Sequence, residues 1–177
     1  MITPKFKDGL MDEYYRLFAS YKNKNIKMLE IGVYHNGSLE WANAYFNSAT
    51  IIGVDNSCRT EEGEGYTLIQ ADQNNKEALE KIGREHGPFD IIIDDASHYT
   101  EETKKTFDVF WRLVNPNGVY IIEDWMVGYW NNKGEHKRRD GMEKYIAELL
   151  INRNKLGIKN LEIMLKEPFC SLACFYK

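Results

Sequence analysis

The chain has 177 residues, enough for one α/β domain with a buried core, and its 43% hydrophobic content excludes a disordered chain. The formal net charge is −4 and the basic run Lys137-Arg138-Arg139 is short, so no broad basic face points to nucleic acid as the main partner. No stretch approaches the ~20 apolar residues of a membrane span, MITPKFKDG lacks a signal-peptide core, and Cys58, Cys170 and Cys174 form no CxxC pair. These features predict a reduced, cytoplasmic protein that does not span a membrane.

Leu10, Tyr14, Leu17, Phe18 and Tyr21 recur at helical spacing, which makes residues 1–25 an N-terminal helical segment. Ile26 to Val33 reads as a buried strand ending in a loop with Gly32 and Gly37. Ser38 is placed to cap a helix whose apolar face carries Leu39, Ala42, Tyr45 and Phe46. Thr50 to Asp55 predicts a second strand, and Tyr66 to Ala71 a weaker third. Lys76 to His86 is helical until Gly87-Pro88 stops it.

Phe89 to Asp94 is a fourth, strongly apolar strand. Residues 101–114 predict a helix with Glu101 and Glu102 in its first turn, where they complement the dipole. The turn Asn115-Pro116-Asn117-Gly118 leads into a fifth strand, Val119 to Ile122, which runs into Glu123-Asp124. Residues 125–141 are long for a connection and rich in aromatics, including Trp125, Tyr129 and Trp130, so they are a candidate substrate lid or subunit seam. Met142, Tyr145, Ile146, Leu149 and Leu150 mark a helix that Gly157 ends. Leu161 to Lys166 and Cys170 to Tyr176 should pair antiparallel across their short link.

Five strands alternating with helices predict a doubly wound, mostly parallel sheet, completed to seven strands by the C-terminal antiparallel hairpin. With no repeat or linker in sight, residues 1–177 read as a single domain. Ligands of such sheets bind at the carboxyl ends of the strands, near the topological switch point. There the sequence places Glu30 and Gly32, Asp55, Asp72, Asp94 and Asp95, and Glu123 and Asp124.

Gly32 lets the backbone approach a ligand closely, and Asp55 ends the second strand, where an acid accepts ribose hydroxyls. Gly32-Val33-Tyr34-His35-Asn36-Gly37 is not the GxGxxG of a dinucleotide site, since Tyr34 stands where the second glycine belongs. Glu30 would repel a pyrophosphate but can pair with an ammonium or sulfonium-bearing ligand. Together these features favour S-adenosylmethionine over NAD.

LEIGVYHNGS, IIGVD, ALEKIGREHGPFDIIIDDASH and LVNPNGVYIIED resemble the successive motifs of the class I S-adenosylmethionine-dependent methyltransferases, a likeness that covers residues 26–177. DDASH, YIIEDW and GYW are similar, more narrowly, to the metal-dependent macrolide-sugar O-methyltransferases and the cephalosporin-hydroxylase-like group. The resemblance implies a Rossmann-like fold and a cofactor edge of Glu30, Gly32, Tyr34, Ser38, Asp55, Asp72, Gln73 and Asp94. It also implies magnesium held by Asp95, Glu123 and Asp124, with His98 as the catalytic base. Ala96 stands where glycine is common in that group. The chain also lacks the longer N-terminal portion of the antibiotic enzymes, which leaves the sugar specificity and any homo-oligomer open.

The implied set is chemically coherent. Three carboxylates on adjacent strand ends repel one another until a hard divalent cation neutralises them, and oxygen ligands suit magnesium. A nearby histidine can take a hydroxyl proton at neutral pH. The expected function is an O-methyltransferase acting on a small hydroxylated molecule such as a sugar or a diol. Metal-independent methyl transfer and non-catalytic cofactor binding are the alternatives. Asn/Asp-Pro-Pro-Tyr, the signature of amine methylation, is absent after the fourth strand. Ser97 and His35 are further candidates for ligand contact, whereas His86 and His136 read as surface residues.

Overall fold

The computed structural model describes residues 9–57, 63–127, 141–166 and 170–177. Seven strands among them form one sheet: β1 (Asn25–Ile31), β2 (Ser48–Asp55), β3 (Thr67–Gln70), β4 (Phe89–Asp94), β5 (Val114–Glu123), β6 (Asn160–Lys166) and β7 (Cys170–Tyr176). The helices are α1 (Leu10–Phe18), α2 (Gly37–Tyr45), α3 (Lys76–His86), α4 (Thr100–Phe110), α5 (Glu143–Ile151) and α6 (Arg153–Leu156).

The strand order is β3-β2-β1-β4-β5-β7-β6. Pairing is parallel from β3 through β5, while β7 runs antiparallel to both β5 and β6. The chain winds outward from β1 through β2 to β3, then returns to start β4 on β1's other side. The switch point therefore lies between the carboxyl ends of β1 and β4, where Ile31 pairs with Asp94. This is the doubly wound sheet with a terminal antiparallel hairpin that the sequence predicts.

Strand alternation sorts the core into two layers. Leu29, Ile31, Ile92, Tyr120 and Ile122 face a cluster with Leu79, Phe107, Phe110 and Tyr145, contributed by α3, α4 and α5. Met28, Ile91, Ile93, Val119 and Ile121 face a second cluster with Tyr14, Phe18 and Leu39 of α1 and α2. Burying each of these large side chains contributes about 1.5–3 kcal/mol, which explains why the apolar runs become central strands. β3, at the edge and only half-buried, was correspondingly the weakest strand signal.

Local boundaries depart from expectation for identifiable reasons. β1 ends at Ile31 rather than Val33, because Gly32 leaves the strand with φ +92. The helix expected over 101–114 ends at Phe110 and tightens into a 3₁₀ turn over Trp111–Leu113. β5 begins earlier than expected, at Val114, and a shift between Phe89 and Ile91 absorbs the Asn115–Gly118 segment. Ser38 does not cap α2: the helix begins at Gly37 with Asn36 preceding it, and no side chain caps it. Gly157, in the left-handed conformation at φ +70, ends α6, a short turn that follows α5. Tyr129, Trp130, His136, the basic run and most of the expected lid fall outside the described residues.

No helix among the described residues is long and apolar enough to cross a membrane. Cys170 and Cys174 are buried in β7, as small side chains on one strand face.

Candidate active site

A cavity of about 350 Å³ opens at the switch point. Ile31 and Gly32 after β1, Val54 and Asp55 of β2, and Asp95, Ala96 and Ser97 after β4 form its walls. Ala71, Asp72 and Gln73, which follow β3, close one side, and Tyr34 stands at the mouth, 62% exposed. The floor is built by backbone: Gly32 N donates to Val54 O at 2.8 Å, and Asp95 N donates to Ile31 O at 2.8 Å. A Cβ on Gly32 would stand 2.2 Å from the Asp95 carbonyl oxygen, so only glycine lets the two loops meet.

Asp55 holds the rim together. Its Oδ2 accepts from Val33 N and its Oδ1 from Ser57 N, both at 2.8 Å. Each carboxylate oxygen keeps acceptor capacity for a ligand hydroxyl beyond those bonds. The lining contains Asp55, Asp72, Asp95 and Glu102 but no lysine or arginine among the described residues. Such a wall repels a pyrophosphate and attracts a ligand that carries positive charge.

Beside the cavity, Asp95, His98 and Asp124 converge, each offering a ligand atom within 4.8 Å of the others. His98 Nε2 lies 3.9 Å from Asp95 Oδ1, and both side chains are partly exposed. His98 and Asp124 adopt left-handed backbone, with φ 58 and φ 51. Non-glycine residues rarely stay there unless the surrounding structure over-determines them, and such positions gather at functional sites. Two oxygens and an imidazole nitrogen can hold a small divalent cation, which would relieve the repulsion between the two carboxylates.

The remaining acids lie elsewhere. Asp94 is buried against Thr106 and Tyr120, whose hydroxyls donate to its Oδ2, the latter at 3.0 Å. Burial pushes its carboxyl up to about 7, while the two hydroxyl bonds oppose the shift and the Asp95 charge adds to it. Glu123 is buried on the opposite face, where its carboxylate accepts the Tyr14 hydroxyl. Glu30 and Ser38 are also buried and do not line the cavity; parity places Glu30 on the Met28 side of β1. The expected cofactor edge therefore divides, with Gly32, Tyr34, Asp55, Asp72 and Gln73 at the cavity and Glu30, Ser38 and Asp94 off it. Of the expected cation set, Asp95 and Asp124 meet at the cluster together with His98, and Glu123 does not join them.

Three lining residues carried no sequence signal. Asn56 simply follows Asp55. Asn74 and Glu102 come together only in the tertiary structure, where Asn74 Nδ2 donates to Glu102 Oε1 at 3.0 Å. Glu102 satisfies the dipole role expected of it and walls the cavity as well.

This geometry has close counterparts among known proteins. The chain is 37% identical over 142 residues to the mycinamicin VI 2''-O-methyltransferase of Micromonospora griseorubida, covering 75% of this chain and 36% of that protein. It is 33% identical over 143 residues to the demethylmacrocin O-methyltransferase of Streptomyces fradiae, again covering 75% of this chain and 36% of the relative. A solved MycE methyltransferase from the mycinamycin biosynthetic pathway, in complex with Mg and SAH, superposes with a TM-score of 0.83 and 28% identity, over 99% of this chain and 51% of that one. The chain is a relative of the macrolide-sugar O-methyltransferases. It carries the Rossmann-like methyltransferase fold, which a Bacillus cereus O-methyltransferase shares at a TM-score of 0.66 and 15% identity. The aligned stretch spans about a third of the length of the curated macrolide-sugar relatives and about half of the solved chain. No protein-family model matches the chain.

Proposed function

We propose that this relative of the macrolide-sugar O-methyltransferases is an S-adenosylmethionine-dependent enzyme that methylates a hydroxyl of a small molecule, such as a sugar or diol, with magnesium assisting. The observation that carries the proposal is the position of Asp95, which lines the cavity and also belongs to the Asp95–His98–Asp124 cluster. A methyl donor and an activated hydroxyl would therefore lie within one side chain of each other.

The residues present fit both groups. The Gly32 cradle admits an adenosine-type ligand at the strand ends, and the acidic lining suits its positive charge. When bound, the cofactor supplies an electrophilic sulfonium methyl, and the cation supplies charge that makes a neighbouring hydroxyl more acidic. Asp55 is placed to accept ribose hydroxyls, with Asp72 and Gln73 toward the base. Asp95 and Asp124 would hold the cation. His98 would take the substrate's hydroxyl proton at Nε2, the nitrogen that faces Asp95. Fixed placement of the two reactants against these walls would contribute much of the rate.

Isothermal titration with S-adenosylmethionine, with and without magnesium, tests the reading, followed by assays with labelled cofactor and a library of hydroxylated compounds. Absence of cofactor binding under both conditions would sink it. A second reading rests on the cluster itself, which makes His98 a third cation ligand instead of a base. The two predict different losses in His98→Gln.

Residues 1–177 are proposed to form one domain. The acidic lining supports a small-molecule partner over nucleic acid.

A further inference from the structure

The loop after β3 and the first turn of α4 are joined at the cavity wall by a short polar relay. Asp72 Oδ1 accepts from Asn74 N at 2.8 Å, and the Asp72 carbonyl accepts from Asn75 N at 2.9 Å, so the Asp72 carboxylate is engaged in its own turn. Asn75 caps α3, its Oδ1 accepting from Ala78 N at 3.1 Å. The turn is thereby held on both sides of Asn74. Lys105 Nζ donates to Asn74 Oδ1 at 2.6 Å, and Asn74 Nδ2 donates to Glu102 Oε1 at 3.0 Å. An ammonium can only donate, so the Asn74 atom facing it must be oxygen, and the NH₂ is turned to Glu102. Glu102 is partly exposed and lines the cavity together with Asp72, Ala96 and Ser97. Asn74 takes one of its carboxylate oxygens, and the other keeps its acceptor capacity.

We propose that Glu102, oriented by Asn74 and Lys105, selects the base of the cofactor, its second carboxylate oxygen accepting from the purine's 6-amino group. The inference rests on the proposed function and deepens it by naming the residue that distinguishes one purine from another. With the ribose at Asp55, the base reaches toward the loops after β3 and β4, where Ala71 and Ala96 offer apolar contact to a flat ring. An amino group meets an acceptor there, whereas a 6-oxo group sets oxygen against carboxylate. A site built around one hydrogen-bonding pattern strongly rejects an analogue that leaves its polar groups unpaired. The relay also fixes what an isosteric amide would do. In Glu102→Gln, Asn74 Nδ2 still donates, so it takes the glutamine oxygen and turns the glutamine NH₂ to the base. The preference for the amino purine then reverses.

The test is calorimetric titration of the full chain with two unreactive probes, S-adenosylhomocysteine and S-inosylhomocysteine, which differ in the purine's 6-substituent and the N1 proton that accompanies it. The wild type should bind the adenosyl probe about 10–100-fold more tightly than the inosyl probe. Glu102→Gln should bind the inosyl probe at least as tightly as the adenosyl one, and Glu102→Ala should bring the ratio below about threefold. Lys105→Met, which releases the Asn74 amide, should lower the wild-type ratio by less than Glu102→Ala does. Near-UV circular dichroism checks the fold of each variant, and Glu102→Gln decides if Glu102→Ala does not fold. Equal binding of the two probes to the wild type, or an undiminished adenosyl preference in Glu102→Gln, overturns the inference and leaves the methyltransferase reading standing. A preference lost in Asp72→Asn and kept in Glu102→Gln gives the base to Asp72 and overturns the inference in the same way. Failure of both probes to bind the wild type overturns the inference and the methyltransferase reading together.

Discussion

The ends of β4 and β5 each carry two consecutive acids, Asp94-Asp95 and Glu123-Asp124, and the fold divides both pairs alike. The first acid turns into the core and meets hydroxyls: Thr106 and Tyr120 for Asp94, Tyr14 for Glu123. The second reaches the rim, where Asp95 and Asp124 converge on His98. The buried members lie on opposite sides of the sheet, since Asp94 shares parity with Ile92 and Glu123 with Ile121. In each pair the last strand residue is buried and the residue just beyond the strand reaches the rim, whichever face of the sheet the strand end presents.

The largest expected effect concerns the residue on which both rim acids converge. His98→Gln should lower the methyl-transfer rate about 10²–10⁴-fold if His98 is the base, with magnesium affinity nearly unchanged. A comparable loss of magnesium affinity, measured by calorimetry on the same sample, would make His98 a ligand. Next come the rim acids themselves. Asp95→Asn and Asp124→Asn should each weaken magnesium binding beyond the roughly 10–100-fold that losing a supporting group costs. Glu123→Gln should cost less than either. Equal losses from Glu123→Gln and Asp124→Asn would break the division of the pair and return Glu123 to the cation, as the family resemblance implies.

The sheet was legible because each central strand is a short apolar run and each connection has helical periodicity, so burial and propensity agree. Gly32, Asp55, Asp72 and Gln73 were legible because open α/β sheets put ligands at strand ends. What the sequence hid was burial. Glu30 and Asp94 sit at the expected strand ends but are buried, Glu30 on the Met28 side of β1 and Asp94 under Thr106 and Tyr120, and Ser38 lies inside α2 rather than at its start. A choice between adjacent acids changes with a one-residue shift of the strand boundary, which single-sequence reading places only to within a few residues. Asn74 and Glu102 were hidden for another reason, since they join the wall only when α4 packs beside the loop after β3.

The core acids should report in stability rather than in ligand binding. Asp94→Ala takes the acceptor from the Tyr120 hydroxyl, while Thr106 keeps the Thr103 carbonyl at 2.9 Å, and Glu123→Ala takes it from the Tyr14 hydroxyl, so each should cost about 1–3 kcal/mol in urea unfolding. Cofactor and magnesium affinities measured on the folded fraction should change little by comparison.

The smallest effect separates the two core acids from each other. Tyr120→Phe removes one donor from Asp94 but leaves the Thr106 hydroxyl against the same oxygen, and the Phe107 ring beside Tyr120, 4.9 Å between centroids, still packs on phenylalanine. Its carboxyl is also already pushed up toward the neutral form by burial, which weakens its demand for donors. Tyr14→Phe takes a hydroxyl from Glu123 at a site where α1 closes over β5. Tyr120→Phe should therefore cost about 1 kcal/mol, and Tyr14→Phe more, up to about 3 kcal/mol, in paired denaturant titrations. If Tyr120→Phe proves the costlier change, Asp94 depends on its phenol more than Glu123 does, and the two buried carboxylates are not held in the graded way their partners suggest.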